Sequence, residues 1–136
     1  AHGEVGHAPF SVEAPIGRDP QVRVRMAVVA GGKPARTDVA WLGSGEGVSA
    51  LRCRLHSGRT HQIRVHLASR GHPLVADALY GGRPALGLER QALHATRLAF
   101  AHPVDERACV FEAPLPDDLR AAWERVLPAT PVSPPR

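Results

Sequence analysis

The hydrophobic and polar positions in the first half of the chain alternate in short runs that are typical of β-strands. The runs at 22–29, 35–42 and 48–55 carry this alternation, and turns rich in Gly and Pro separate them. The first twenty residues predict a loop followed by an extended piece broken by prolines. We therefore expect the three runs to pair as an antiparallel meander, with a flexible loop at 43–47 before the last strand.

The hydrophobic period then changes to one that suits a helix. Residues 61–70 have helical composition, Thr60 stands where an N-cap residue belongs, and Gly71 stands where helices commonly end. These signals predict a helix at 61–70 capped by Thr60. The following stretch, 74–83, predicts a short extended segment that runs into a Gly-Gly turn.

The last part of the chain predicts a second strand pair and a second helix. Residues 94–103 and 108–116 are expected to form strands, and 117–127 a helix with acidic residues in its first turn. The Pro-rich residues 128–136 predict a disordered tail. The pattern as a whole predicts the α+β class, with a largely antiparallel sheet and two helices.

The amino-acid composition favours binding of phosphate groups. The 136 residues suffice for one modest domain, and the 17 basic against 13 acidic side chains include a single lysine, Lys33. Arginine presents a planar fork of donors that matches phosphate. A basic surface of this kind is found on nucleic-acid-binding domains, but also as an ordinary solvated surface.

The remaining composition argues against metal, disulfide and membrane functions. Cys53 and Cys109 are too few for a disulfide framework, and no cysteine pair has zinc spacing. His61 and His66 are five residues apart, so they would point to different faces of a helix. We therefore expect no metal site. Because no apolar run is long enough to span a bilayer, we expect no membrane association and a cytoplasmic location.

The chemically most informative segment surrounds the predicted first helix. Gly58 allows a tight turn, and a helix start carries free N–H groups that suit an anion. Arg59 precedes this helix start. Arg64 projects from the first or second turn beside an apolar face, where a carboxylate or phosphate must lie close to it. Spacing alone also fits a capped amphipathic helix with an incidental surface arginine.

This segment resembles a known family. The string GRTHQIRVHLASRGHPLVADALYGG is similar to the stretch that in RluA-type pseudouridine synthases follows the form TGRTHQIRVHLAxxGHPIxGDxxYG. The upstream VEAPIGRDPQVRVRMAVVAGGKPARTDV, and the downstream ALHATRLAFAHP and FEAPLPDDL, also resemble family segments. The resemblance covers roughly residues 12–127. It departs from the family where VGD becomes VAD, through Ala76.

The resemblance implies an RNA-modifying activity and a division of the catalytic site. Family members isomerise chosen uridines of rRNA or tRNA to pseudouridine, after flipping the base, without cofactor or metal. Their essential aspartate belongs to an HRLD-type motif, and a tyrosine beside the base to a K-x-Y-type strand. Neither motif occurs in this chain. Residues 1–127 would thus be the C-terminal portion of a pseudouridine synthase catalytic domain, and the chain alone is predicted to be inactive.

On matched positions, the resemblance assigns roles to individual residues. Arg64 would be the catalytic residue that pairs with the aspartate, and Asp77 would fix a loop. The remaining matched positions are expected to contact RNA phosphate or the flipped nucleotide: Arg59, Thr60, His61, Gln62, Arg18, Arg23 and Arg25.

Other roles stay open for these residues. Thr60 could serve as a cap alone, and His61 and Gln62 could hydrogen-bond within the fold. The three N-terminal arginines could belong to a solvated surface. Arg52 and Arg54 are expected on the outer face of a strand.

Three hypotheses follow for the chain as a whole. It is a fragment of an active synthase, a non-catalytic remnant that binds structured RNA, or a half-domain that pairs with a missing N-terminal half or with itself. The start at Ala1, without methionine and near where the family's catalytic strand would have ended, favours the first. No local motif encodes the target uridine, the RNA class or an accessory S4-like domain.

Overall fold

A computed structural model describes residues 1–127, which hold seven strands, two α-helices and one 3-10 helix. The predicted tail at 128–136 lies outside the described residues. The α+β class is confirmed. In chain order the elements are β1 (Phe10–Glu13), β2 (Ile16–Arg18), β3 (Met26–Val28), β4 (Arg36–Gly45), β5 (Val48–Leu55), α1 (Gln62–Ser69), the 3-10 helix (Ala78–Tyr80), β6 (Arg97–Ala101), β7 (Ala108–Glu112) and α2 (Asp117–Val126).

The main sheet is antiparallel, with the order β1-β4-β5. Strands β4 and β5 form a hairpin in which Gly45 pairs with Val48, so that Glu46 and Gly47 alone make the turn. Both turn residues have positive φ, 55° and 76°, as a tight hairpin of matching twist requires. The flexible loop predicted at 43–47 is therefore wrong, because β4 continues through Gly45.

The predicted meander is wrong in its first strand. Only Met26–Val28 of the run at 22–29 is a strand, and it pairs with β2, while β1 pairs with β4 in the main sheet. The side chain of Asp19 accepts hydrogen bonds from the backbone N–H groups of Gln21 and Val22. These local bonds hold a turn where alternation alone predicted a strand.

Helix α1 packs its buried Leu67 against Val39 of β4 and Leu74 beyond the helix. It begins at Gln62, and the N-cap prediction for Thr60 is wrong. The residue before the helix is His61, which adopts the left-handed conformation with φ 55° and makes no capping bond. Because this conformation redirects the chain, the exposed Thr60 lies outside the helix start.

The segment after α1 is a compact turn and not the extended stretch predicted at 74–83. The 3-10 helix lies between Asp77 and Gly81, and the N–H of Gly82 donates to the carbonyl of Asp77 at 2.7 Å. Gly82 packs so closely on the backbone of Leu74 that no side chain fits there. This close approach closes the turn and brings Asp77 back toward α1.

The last elements differ in how they are packed. The predicted second helix is confirmed as α2, which buries Leu119, Ala122 and Val126 against Val48 and Ala50 of β5. Strands β6 and β7 confirm the second predicted strand pair over shorter ranges and form a two-stranded ribbon. Large apolar side chains remain exposed on this ribbon, namely Leu98, Phe100, Val110 and Phe111.

We predict that Gly82→Ala will destabilise the fold by about 2 kcal/mol or more, because the added methyl group would overlap the carbonyl oxygen of Leu74. A Cβ there would also lie 2.8 Å from the amide nitrogen of Asp77. Urea unfolding midpoints check this, with Gly6→Ala as control, since a Cβ at Gly6 meets no atom within 4 Å. Equal midpoints for the two variants would contradict the predicted close packing.

Candidate functional site

A buried ion pair lies at the centre of the site. The Nε and Nη2 atoms of Arg64 each donate to one carboxylate oxygen of Asp77, both at 2.9 Å. Asp77 is 2% exposed, and the Arg64 side chain 14%. The hydrogen bonds that Arg64 donates to Asp77 raise the pKa of Arg64 above its ordinary value. Within residues 1–127, the partner of Arg64 is therefore Asp77, a pairing that the sequence analysis did not predict.

Tyr80 connects this pair to two further elements. Its ring centroid lies 5.0 Å from Cζ of Arg64, a cation–π distance. Its hydroxyl oxygen accepts the N–H of Met26 at 3.0 Å and lies 2.7 Å from Nδ1 of His61. The tyrosine thus joins β3, the start of α1 and the 3-10 helix around the guanidinium.

His61 occupies a strained backbone position in this cluster. A φ of 55° is uncommon for a residue with a side chain, and such strain is often found at functional sites. Burial lowers the pKa of His61 below 6.5, and the positive charge of Arg64 lowers it further. The carboxylate of Asp77 offsets part of this shift. We therefore expect a neutral imidazole at pH 7.

Gln62 points into the fold and not toward solvent. Its amide nitrogen donates to the carbonyl of Arg36 and to the hydroxyl of Thr37, at 2.8 and 3.0 Å. Its amide oxygen accepts from the hydroxyl of Ser57 and the N–H of Arg59, at 2.8 and 3.1 Å. All of its hydrogen-bonding capacity is used internally, so it fixes the loop before α1 against the start of β4.

This network extends through His66, a residue that no motif in the sequence singled out. The residue is fully buried; its Nε2 donates to the carbonyl of Ala14 at 2.9 Å, and its Nδ1 lies 2.8 Å from the hydroxyl of Thr37. Because Gln62 donates to the same hydroxyl, a chain of hydrogen bonds joins α1, β4 and the end of β1. Its signal in the sequence is a histidine on the buried face of a short helix, two positions after Arg64.

The three arginines predicted near the N-terminus differ in their contacts: Arg25 is hydrogen-bonded within the fold, whereas Arg18 and Arg23 are exposed. Arg25 donates to Asp19 at 2.8 Å and to the carbonyl of Leu79 at 3.1 Å, so it contacts the same turn that carries Tyr80. The hydrogen bond from Arg25 to the Asp19 carboxylate is the main cause that lowers the pKa of Asp19. Arg18 and Arg23 are exposed at the edge of the 19–25 turn.

Arg59 and Thr60 lie at the entrance to α1. The Nε of Arg59 donates to the carbonyl of Pro34 at 2.9 Å, which leaves its two terminal nitrogens without a hydrogen bond inside residues 1–127. Thr60 is exposed beside it. Arg52 and Arg54 lie on β5, half-buried and exposed respectively, on a different element from the Arg64 cluster.

Two further observations concern what residues 1–127 contain. They bring together no group of three or more His, Cys, Asp and Glu side chains that could hold a metal ion. None of their helices has the length and hydropathy needed to cross a membrane.

Comparison with known proteins identifies the relatives of this chain. The family profile described as RNA pseudouridylate synthase matches residues 6–69. The chain is 47% identical over 134 residues to "Ribosomal large subunit pseudouridine synthase D" of Nitrosomonas europaea. This alignment covers 91% of this chain and 39% of that protein. It is 51% identical over 119 residues to an "Uncharacterized RNA pseudouridine synthase" of Chloroflexus aurantiacus, covering 85% and 38%.

A solved structure gives the same result at the level of the fold. "Human RNA Pseudouridylate Synthase Domain Containing 1" superposes with a TM-score of 0.75 and 29% identity, over 98% of this chain and 58% of that one. The chain therefore spans about two fifths of the length of the curated relatives it matches.

We predict that His61 will titrate below pH 6.5 and that Asp77→Asn will lower its pKa further, because the variant loses the carboxylate that stabilises the imidazolium. The unfolded chain then takes up this proton first as pH falls. His61 should therefore reduce the free energy of unfolding below about pH 6.5, and not above it. Nuclear magnetic resonance titration of the His61 ring checks both shifts. Glu46→Gln, which removes a carboxylate on the β4–β5 turn, is the control and should leave the value unchanged. A His61 pKa at or above 6.5 would contradict the assignment.

Proposed function

Since the chain belongs to the RluA-type family of RNA pseudouridine synthases, we propose that it forms the C-terminal portion of a synthase catalytic domain and acts on structured RNA. The observation that carries the proposal is the cluster of Arg64, Asp77, Tyr80 and His61, which lies within the segment 58–82 that resembles the family's pattern. The activity belongs to the whole protein, of which the chain supplies one side of the site.

The reaction explains what each side must contribute. Detaching uracil from C1′ of its ribose requires a carboxylate at the sugar, as nucleophile or as electrostatic partner. The base then turns and is reattached through C5, which releases the proton of C5. No HRLD motif supplies that carboxylate here. We propose that Arg64 binds the carboxylate, which the rest of the protein contributes, and that this chain alone does not turn over RNA.

Exposed arginines support the RNA-binding part of the proposal. Arg18 and Arg23 are exposed, Arg59 has an outer edge without a hydrogen bond in residues 1–127, and all three could contact phosphate. Arg18 also donates to the carbonyl of Arg23, and Arg25 contacts the Tyr80 turn. Thr60 and His61, at the entrance to α1, would contact RNA phosphate or the flipped nucleotide. Gln62 acts indirectly, since its buried amide holds the loop that carries Arg59.

We propose ribosomal RNA as the first substrate to test and tRNA as the second. The reason is that one of the relatives is named for the large ribosomal subunit. A cytoplasmic location would follow from that substrate. The alternative function is non-catalytic RNA binding, which applies if the native protein lacks the carboxylate.

Pairing with further polypeptide is the last part of the proposal. The ribbon of β6 and β7 leaves Phe100 and Phe111 at 43% and 60% exposure, and its residues belong to none of the buried clusters. An isolated two-stranded ribbon is marginally stable in water. We propose that this face packs on the remaining portion of the synthase domain, and that self-association replaces that contact when the portion is absent.

We predict that the native protein isolated from its source has a mass well above 14.5 kDa and releases tritium from RNA labelled at C5 of uridine, whereas residues 1–136 alone release none. Intact-mass spectrometry and the tritium assay check this, with rRNA and tRNA assayed separately. A native mass near 14.5 kDa with tight RNA binding and no release would support the non-catalytic function instead. Tritium release by the isolated chain would contradict the proposed division of the site.

A second prediction concerns RNA binding by the chain itself. Replacing Arg18 and Arg23 by Gln should make the dependence of log affinity on log salt shallower by about 1.5, because two phosphate contacts are lost. Fluorescence anisotropy over a salt series measures the slope. The matched control replaces Arg52 and Arg54, which lie on β5, and should leave the slope unchanged. Equal changes in the two double variants would contradict a phosphate-binding role specific to the 18–25 region.

A further inference from the structure

The guanidinium of Arg64 has two edges, and the fold occupies one of them. The edge formed by Nε and Nη2 faces the two oxygens of Asp77. The third nitrogen, Nη1, makes no hydrogen bond to any group within residues 1–127. A planar guanidinium can bind a second acid group through its Nη1–Nη2 edge while the first stays bound.

The carboxylate that holds the first edge is itself fixed by backbone contacts. The N–H of Asp77 donates to the carbonyl of Leu74 at 3.2 Å, and its own carbonyl accepts from Tyr80 and Gly82 at 3.1 and 2.7 Å. Gly82 is in close contact with Leu74, so this turn has little room to shift. Asp77 therefore presents its oxygens to Arg64 from a rigid frame.

The ring of Tyr80 restrains the guanidinium from another direction. Its centroid lies 5.0 Å from Cζ of Arg64, and its hydroxyl is held by Met26 and His61. The carboxylate and the ring together set the orientation of the guanidinium plane.

We propose that Asp77 is a positioning residue, which orients Arg64 so that its Nη1 edge receives the catalytic carboxylate as the second acid of a carboxylate–guanidinium–carboxylate triad. This inference rests on the proposed function. Because Asp77 already neutralises Arg64, the second carboxylate is held less tightly than by a free arginine. It is aligned for the sugar and remains able to leave the ion pair for C1′.

Arg64→Lys is the sharpest variant, because a lysine keeps the positive charge and can still pair with Asp77 but offers no second planar edge. Arg64→Ala is less informative, since it would leave Asp77 buried without a partner. In the native protein we expect Arg64→Lys to retain its melting temperature within a few degrees and to lose turnover by about 100-fold, as a small misplacement costs. Near-normal turnover in this variant would overturn the proposal.

Asp77→Asn tests positioning directly. We expect kcat to fall by about 10-fold to 100-fold, with little change in KM for RNA, because orientation and not substrate binding is lost. The control is Glu46→Gln, which breaks the bidentate pair between Glu46 on the β4–β5 turn and Arg125 on α2, and should leave kcat unchanged. A lower melting temperature with unchanged kcat per folded molecule would show a merely structural role for Asp77 and overturn the inference.

A measurement without turnover separates this inference from the proposed function. In the chain itself, the Nε–H resonance of Arg64 should be protected from exchange with water, and the protection should be lost in Asp77→Asn. If the unmodified chain shows this protection and Asp77→Asn loses it, but the native protein is inactive, the orientation of Arg64 by Asp77 stands and the proposed function alone is overturned. An unprotected resonance in the unmodified chain would overturn the positioning role.

Discussion

A buried carboxylate loses its hydration, and the fold must replace it with hydrogen bonds and a positive charge. Much of this structure provides them for Asp77. Arg64 provides the compensation through two parallel hydrogen bonds. The pair joins α1 to the turn at 77–82, although 13 residues separate the partners in the chain. It also explains why the turn is closed so tightly at Gly82, since a looser turn would not hold the carboxylate in line with the guanidinium.

Arginines in this protein have different roles according to what surrounds them. Arg64 and Arg25 both donate to an aspartate, and both contact the 77–80 segment, one through Asp77 and the other through the carbonyl of Leu79. Arg18 and Arg23 have no carboxylate partner within residues 1–127. A composition rich in one residue type therefore yields both a rigid centre and free cationic groups at its margin.

Sequence reasoning was accurate where local pattern decides the structure. The alternation at 48–55 predicted β5 at its observed limits, and the acidic start and apolar stripe predicted α2. It failed at His61, where a left-handed residue replaces the expected Thr60 cap, and at 22–25, where the Asp19 side chain holds a turn. The pairing of Arg64 with Asp77 depends on the path of the intervening turn, which no spacing rule encodes. The family resemblance located the segment, but the partner followed only from the fold.

The ribbon of β6 and β7 has a consequence for how the molecule opens. Its two strands are joined by a short loop at 102–107 and bonded to each other along five residue pairs, so it can form or separate as a small local unit. Few apolar contacts connect it to the clusters around α1 and α2. Its opening therefore costs far less free energy than unfolding the whole molecule. In the chain alone, we therefore expect the ribbon to separate before the frame around Arg64 opens.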